Sequence, residues 1–343
     1  MKRLALFVLI ASAFVYFWRA FNEIPLRVIG QPSSTGLLQR DKEAPFFATL
    51  REATQLPLKV VYQPLESVAF KDTFQLPMLK DGQFDLVSLR FLQNAELEPT
   101  LQGIDLVGLI PDYATARKVI TAYAPAVDRN LQQKFNAKLL GVWSFGPQEF
   151  FCNKPVKRIE DIKALKVRVA GPAQSAFIRA LDGVPVIIPF DDTKQALALR
   201  LVDCAITSAA SANSARWLEH ANHSFPLVVQ YGFNGYAISL RTWNALSSEN
   251  RAVLASAFES YVSDLWQFTQ DIHTDASSCN TGGECKRGNR FNATAAQPSP
   301  QDVQRMRDIM RRSVLPEWGT RCDQVHPGCV REWQDKLSAY LGP

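Results

Sequence analysis

From residue 25 onward, apolar runs of strand length alternate with helix-period segments. A chain patterned this way is directed to an open α/β sheet with parallel neighbours. Residues 25–30 read as a first strand, ended by Gly30 and a polar loop over 31–36. A helix over 43–54 precedes a strand at 58–62, and a helix over 68–79 precedes a strand at 84–89. The pattern continues with a long helix over 114–135, carrying a candidate break at Pro125, and a strand at 139–144. Further strands are expected at 166–169, 185–188 and 202–206, joined by helices over 171–181 and 191–201, with Asp191 as an N-cap. After a strand at 235–240, Ser247 or Ser248 caps a helix whose apolar stripe runs from Val253 to Thr269. A helix of that length can brace two domains. Ser299-Pro300 then opens one more helix.

At 343 residues the chain has room for two moderate cores, and its 47% apolar and 21% charged residues are those of an ordinary globular protein. The formal charge of +5 has no concentrated basic stripe, so a nucleic-acid partner is not expected. Lys2 and Arg3 precede an apolar run over residues 4–18, which reads as an export signal, with an uncleaved N-terminal anchor as the alternative. Of six cysteines, Cys279, Cys285, Cys322 and Cys329 cluster late in the chain, which in an exported protein favours disulfides over a zinc site. The simplest pairing is Cys279–Cys285 with Cys322–Cys329, and a crossed arrangement stays open. Cys152 and Cys204, in apolar surroundings, read as buried thiols or as a bonded pair.

Enzyme chemistry finds little support. No glycine-rich phosphate loop, nucleophile elbow or His-Glu-x-x-His motif is present, and the four histidines are scattered. Asp191 and Asp192 are adjacent, so a helix would point them apart, which is poor for a catalytic carboxylate pair. A thiol-dependent hydrolase using Cys152 or Cys204 is the enzyme alternative, and it requires a free thiol.

The run from Asn153 to Val169, Asn-Lys-Pro-Val-Lys-Arg-Ile-Glu-Asp-Ile-Lys-Ala-Leu-Lys-Val-Arg-Val, resembles the central motif of TRAP-transporter solute-binding proteins of the dicarboxylate-receptor type. Leu79-Lys-Asp-Gly-Gln-Phe-Asp85, the run from Gln195 to Cys204 and the run from Tyr236 to Leu246 resemble other segments of that family, in the same order. The resemblance implies a two-domain, clamshell-like periplasmic-binding-protein fold with hinge strands and a long bracing helix. On it, residues 1–22 are the export signal or anchor, 23–145 with 233–271 the first domain, and 146–232 with 272–343 the second.

The resemblance further implies a carboxylate clamp at Arg168, whose planar guanidinium matches a carboxylate with two parallel donors. The plain structural alternative is an edge-strand arginine paired with an acidic neighbour. Gln148 stands where many relatives carry a second basic residue. A neutral amide adds no charge, which favours a monocarboxylate or an acid with a polar tail. Thr207 and Ser208 fall where relatives place a ligand-contacting asparagine. Ser34, Thr35, Ser88, Arg90, Phe233 and Asn234, at strand ends and adjoining loops, complete the candidate wall. The expected function is an extracytoplasmic receptor that hands a small organic acid to TRAP-type membrane subunits, without catalysis, metal or cofactor. The alternative is a periplasmic ligand sensor or interaction protein on the same fold.

Overall fold

The computed structural model describes residues 23–341. The expected export segment lies outside them. Among the described residues no helix is long and apolar enough to cross a membrane.

Two sheets organise the chain. The first contains β1 (Ile24–Ile29), β2 (Leu58–Gln63), β3 (Leu86–Arg90), β4 (Ala137–Ser144) and β10 (Phe233–Ser239), in the order β2-β1-β3-β10-β4. The second contains β5 (Gln148–Cys152), β6 (Lys166–Val169), β7 (Val184–Ile187), β8 (Cys204–Ser208), β9 (His223–Gln230) and β11 (Thr294–Ala295), in the order β11-β9-β5-β8-β6-β7. β1 pairs in parallel with β2 and β3, and β6 with β7 and β8, as helical crossovers require. β10 runs antiparallel between β3 and β4, and β5 antiparallel between β8 and β9. These antiparallel strands flank two of the three places where the chain changes sheet, between β4 and β5 and between β9 and β10; the third lies between β10 and β11.

Local chemistry explains the elements. In β1, Leu26 and Val28 are fully buried while Arg27 turns out to meet Asp85, Nε to Oδ2 at 2.8 Å. Ser247 caps the long helix Ser248–Asn280 by accepting the Asn250 N–H. Its stripe of Leu254, Phe258, Tyr261, Leu265, Trp266 and Ile272 is buried. The helix touches both sheets' lobes. Trp266 Nε1 donates to Val142 O on β4 at 3.0 Å. At the far end Asn280 accepts from Asn213 at 2.7 Å and donates to Ala209 O at 3.2 Å, beside β8. Farther on, Trp318 donates to Pro99 O and Trp333 to Gly103 O, so the helices Leu315–Val325 and Cys329–Leu337 return to the first sheet's lobe.

Several expectations are corrected. The helix expected over 68–79 is confined to Gln75–Lys80, preceded by single 3-10 turns at Leu65–Ser67 and Asp72–Phe74. Pro125 does not break its helix, which runs unbroken over Tyr113–Phe135. Pro189 occupies the capping position assigned to Asp191, which sits in the first turn of Phe190–Ala198. Strands β5 and β9 were not foreseen. All five residues of β5 are buried, which erases the alternation that marks a strand, and β9 contains Pro226.

The cysteines form three disulfides, Cys279–Cys285, Cys322–Cys329 and Cys152–Cys204. The last joins β5 to β8, whose registers set the two residues directly opposite. No free thiol is present among the described residues, so the thiol-hydrolase reading has no nucleophile and the zinc reading no thiolate.

Candidate functional site

Where the two sheets face each other, side chains from both surround a small cavity of about 30 Å³. Arg90, Phe233 and Asn234 reach it from β3 and β10, and Gln148, Arg168 and Thr207 from β5, β6 and β8. Six of the ten candidate residues are thus brought together.

Arg168 is 2% exposed. Its Nε donates to Ile188 O at 2.9 Å and its Nη1 to Ile206 O at 3.1 Å, and the guanidinium lies 5.5 Å from the Trp217 ring centroid. Nη2 is buried with no partner. Burial first, and the positive charge of Arg90 second, pull the Arg168 pKa down to about 9, so the group stays charged at neutral pH in an environment that disfavours the charge. No acidic side chain among the described residues bonds to it, which distinguishes it from a paired structural arginine.

Arg90 is buried as well, but its Nη1 meets Asp72 Oδ2 at 3.1 Å, and it lies 5.5 Å from the Phe190 ring centroid. Asp72 pairs directly with Arg90 alone, whereas Arg168 feels Asp72 and Asp191 only through space. Arg90 Nε, like Arg168 Nη2, is buried with no partner. Gln148 donates from Nε2 to Gly146 O at 2.9 Å, and Asn234 from Nδ2 to Gly232 O at 3.1 Å. Thr207 also lines the cavity.

The remaining four candidates serve elsewhere. Ser34 bonds through its hydroxyl to Asp191, at the mouth between the lobes. Thr35 donates to Pro32 O within its own turn at 2.7 Å. Ser88 receives Gln31 Nε2 at 2.9 Å in a buried network around Glu43, where Tyr236 OH and Tyr62 OH each donate to the carboxyl at 2.9 Å. Ser208 caps the helix Ala209–Ser214.

Sequence reasoning missed Gln93, Phe145, Phe190, Ser211 and Gly232 as wall residues, and Asp72 as the partner of Arg90. Gly232 carried a signal, a glycine directly before Phe233-Asn234 at a strand end. Its φ is +62°, and a Cβ there would sit 2.5 Å from Gln148 Nε2. Asp72 carried none, since its pairing is made by the folding of a turn.

The hinge behind the cavity is also built from specific bonds. The Asp105 carboxyl accepts Tyr231 N at 2.8 Å and Gly232 N at 2.9 Å, and the Ser144 hydroxyl bonds to Tyr231 O. Burial raises the Asp105 pKa to about 6 against these hydrogen bonds. At the mouth, Gly36 of the first lobe abuts Ser214 of the second, where a Cβ would meet Ser214 Oγ at 2.7 Å.

Comparison with known proteins agrees with this fold. The profile of the DctP family, bacterial extracellular solute-binding protein family 7, matches residues 36–313. The sialic acid-binding periplasmic protein SiaP of Vibrio cholerae is 24% identical over 233 residues, covering 67% of this chain and 72% of SiaP. A TRAP periplasmic solute-binding protein from Desulfovibrio salexigens, solved with orotic acid, superposes with a TM-score of 0.82 at 14% identity, covering 93% of this chain and 100% of the other. DctP7 of Bordetella pertussis, a receptor binding pyroglutamic acid, gives 0.80 at 15% identity, over 92% and 99%. These structures have the same two-domain α/β fold. The chain belongs to the DctP family of bacterial extracellular solute-binding proteins, the solute receptors of TRAP-type transport, and not to an enzyme family.

Proposed function

We propose that this receptor captures a small organic monocarboxylate between its two lobes, with Arg168 holding the carboxylate. The observation that carries this reading is the buried Arg168 Nη2 without a partner, in a cavity whose other cation is already paired with Asp72. A carboxylate arriving there pairs the guanidinium and relieves the burial cost at once. The acids bound by the proteins of Vibrio, Desulfovibrio and Bordetella each carry a carboxyl group, which supports the ligand class. Closure of the lobes removes water and strengthens the contact. The closed form then delivers its ligand to TRAP-type membrane subunits, after export directed by the segment 1–22.

The lobes are proposed as 23–145 with 233–271 and 146–232 with 272–343. The helices beyond Val314 lie against the first lobe. Gln148, Thr207, Phe233, Asn234 and Arg90 are proposed as the ligand wall.

A thermal-shift screen of the purified protein against organic acids, neutral sugars and amino acids tests the reading. Ligand at about 100 times its Kd adds about 2.7 kcal/mol of stability. Shifts confined to carboxylates and lost in Arg168→Ala support it. Shifts from sugars alone, or carboxylate shifts that survive Arg168→Ala, refute the clamp.

A further inference from the structure

Beyond the long helix the chain makes a polar excursion over 281–291 that belongs to neither sheet. Its base is closed by the Cys279–Cys285 bond, by Phe291 N donating to Cys279 O at 2.9 Å and by Ala293 N donating to Asn280 O at 2.8 Å. Asp275, one helical turn before Cys279, folds the excursion back, its carboxylate accepting Lys286 N at 2.8 Å and Arg287 N at 2.9 Å. This sets Gly288 and Asn289 against Asn213 of the helix Ala209–Ser214. Asn213 Nδ2 donates to Asn280 Oδ1 and to Asn289 O, both at 2.7 Å, and its Oδ1 accepts Asn289 N at 2.7 Å. Asn289 Nδ2 donates in turn to Asn213 O at 3.2 Å. Gly288 lies so close that a Cβ on it would sit 2.7 Å from Asn213 Oδ1.

The helix held in this way has six residues, too few to keep its shape without tertiary support. It carries Ser211 at the cavity wall and Ser214 opposite Gly36 at the mouth. Of the six cysteines only Cys285 is not buried, and a thiolate opens a disulfide only at a sulfur it can reach. We propose that the segment 281–291 is a redox-sensitive strap, which fixes the helix Ala209–Ser214 for solute capture when oxidised and is released by a dithiol reductant. Its effect on capture rests on the receptor reading above, whichever solute fills the cavity. A thiolate of the reductant bonds to Cys285 Sγ, the bond to Cys279 breaks, and Cys279 leaves as a thiolate that takes up a proton. The second thiol of the reductant, as thiolate, then displaces Cys285, which is protonated likewise. The protein gains two electrons and two protons, and the dithiol ends as a disulfide.

Limited dithiothreitol, followed by iodoacetamide and peptide mass analysis, should label Cys279 and Cys285 before the other four cysteines. In that partly reduced protein, without solute, amide hydrogen exchange over 209–216 should quicken at least about tenfold, while 24–29 and 86–90 keep their protection. Gly288→Ala should quicken the same amides in the oxidised protein, because it pushes the strap off Asn213 and leaves the disulfide intact. Gly288 lacks the left-handed backbone that would strain an alanine. Titration with lactate, pyroglutamate and succinate should show the tightest of the three losing at least about tenfold in affinity on reduction and in Gly288→Ala. If another disulfide opens first, or exchange over 209–216 is unchanged once Cys279–Cys285 is open, the strap is overturned. If exchange quickens and the tightest acid keeps its affinity, redox control of capture is overturned while the receptor reading stands. If none of the three acids binds, exchange over 209–216 by itself upholds or overturns the strap, and the receptor reading is judged by its own screen.

Discussion

A buried guanidinium with one unpartnered nitrogen is poised for an anion, and Arg168 is in that position. Replacing it with alanine leaves an incoming carboxylate desolvated and unpaired, at a cost of about 2–5 kcal/mol in binding. Arg168→Ala should therefore weaken the best acid by a factor of about 30 or more, read by titration. Arg168→Lys should recover little of it, because an ammonium cannot reproduce the bonds to Ile188 O and Ile206 O while also facing the ligand. A second residue-scale effect concerns Glu149. It is buried on β5 with no hydrogen-bond partner among the described residues, and burial pushes its pKa up to about 8. The folded protein then keeps a proton that the unfolded chain releases above its ordinary value near 4.5. Stability from this group therefore falls as pH rises towards 8, by about 1.4 kcal/mol per pH unit. His273, depressed to about 4 by burial, acts oppositely but below pH 6.5, and Asp105, raised to about 6, adds to the fall mostly below pH 6.5. Between pH 6.5 and 8 the slope belongs chiefly to Glu149. Urea denaturation should show the wild type losing about 2 kcal/mol across that window and Glu149→Gln losing less than half as much. Equal slopes would mean that Glu149 is ionised in the fold.

Among the elements, the β5–β8 pair is held both by its ladder and by the Cys152–Cys204 bond, which spans a sequence separation of 52. The other two disulfides span only 6 and 7 residues. By the entropy of the loop each one closes, the first contributes about 4 kcal/mol and each of the others about 2 kcal/mol. Cys152→Ala with Cys204→Ala should accordingly lower unfolding stability about twice as much as removing the Cys322–Cys329 pair, in denaturant titrations. A smaller loss for the β5–β8 pair would show that its loop is already ordered in the unfolded chain. These two strands also show where sequence reading succeeds and fails. The long helix was legible because its burial repeats every three to four residues, and β1 because Leu26 and Val28 alternate with Arg27. β5 was not, since burial on both faces leaves Gln-Glu-Phe-Phe-Cys without a period. At the site, Arg168 was legible from its residue type within a recognisable segment. The Asp72 partner of Arg90 and the Gly232 support of Gln148 were not. Both depend on contacts between segments whose spacing in the chain carries no local pattern.

At the scale of the whole molecule, the proposed capture of ligand requires closure of the lobes, and the contact across the mouth offers a way to block it. Gly36 on the first lobe abuts Ser214 on the second, close enough that one added carbon on Gly36 would lie 2.8 Å from Ser214 Cβ. Nearby, Ser34 bonds to Asp191 across the same gap, although Asp191 is exposed and the bond is correspondingly weak. Substituting Gly36 would confuse closure with backbone strain, because its φ is +64°. Ser214→Leu avoids that difficulty, since it enlarges the opposing side without asking anything of the glycine. The leucine can turn to solvent when the lobes part, so the unliganded protein should unfold within about 0.5 kcal/mol of wild type. Ligand binding, however, includes closure, and the wedge excludes the closed form. The affinity should drop at least about tenfold, because the competent state is depopulated by that factor. Small-angle scattering should show a decrease in radius of gyration when the wild type takes up ligand and none in Ser214→Leu. A variant that binds and contracts like wild type would mean that the Gly36–Ser214 contact lies outside the closure path, and would make Ser34–Asp191 the next contact across the mouth to test.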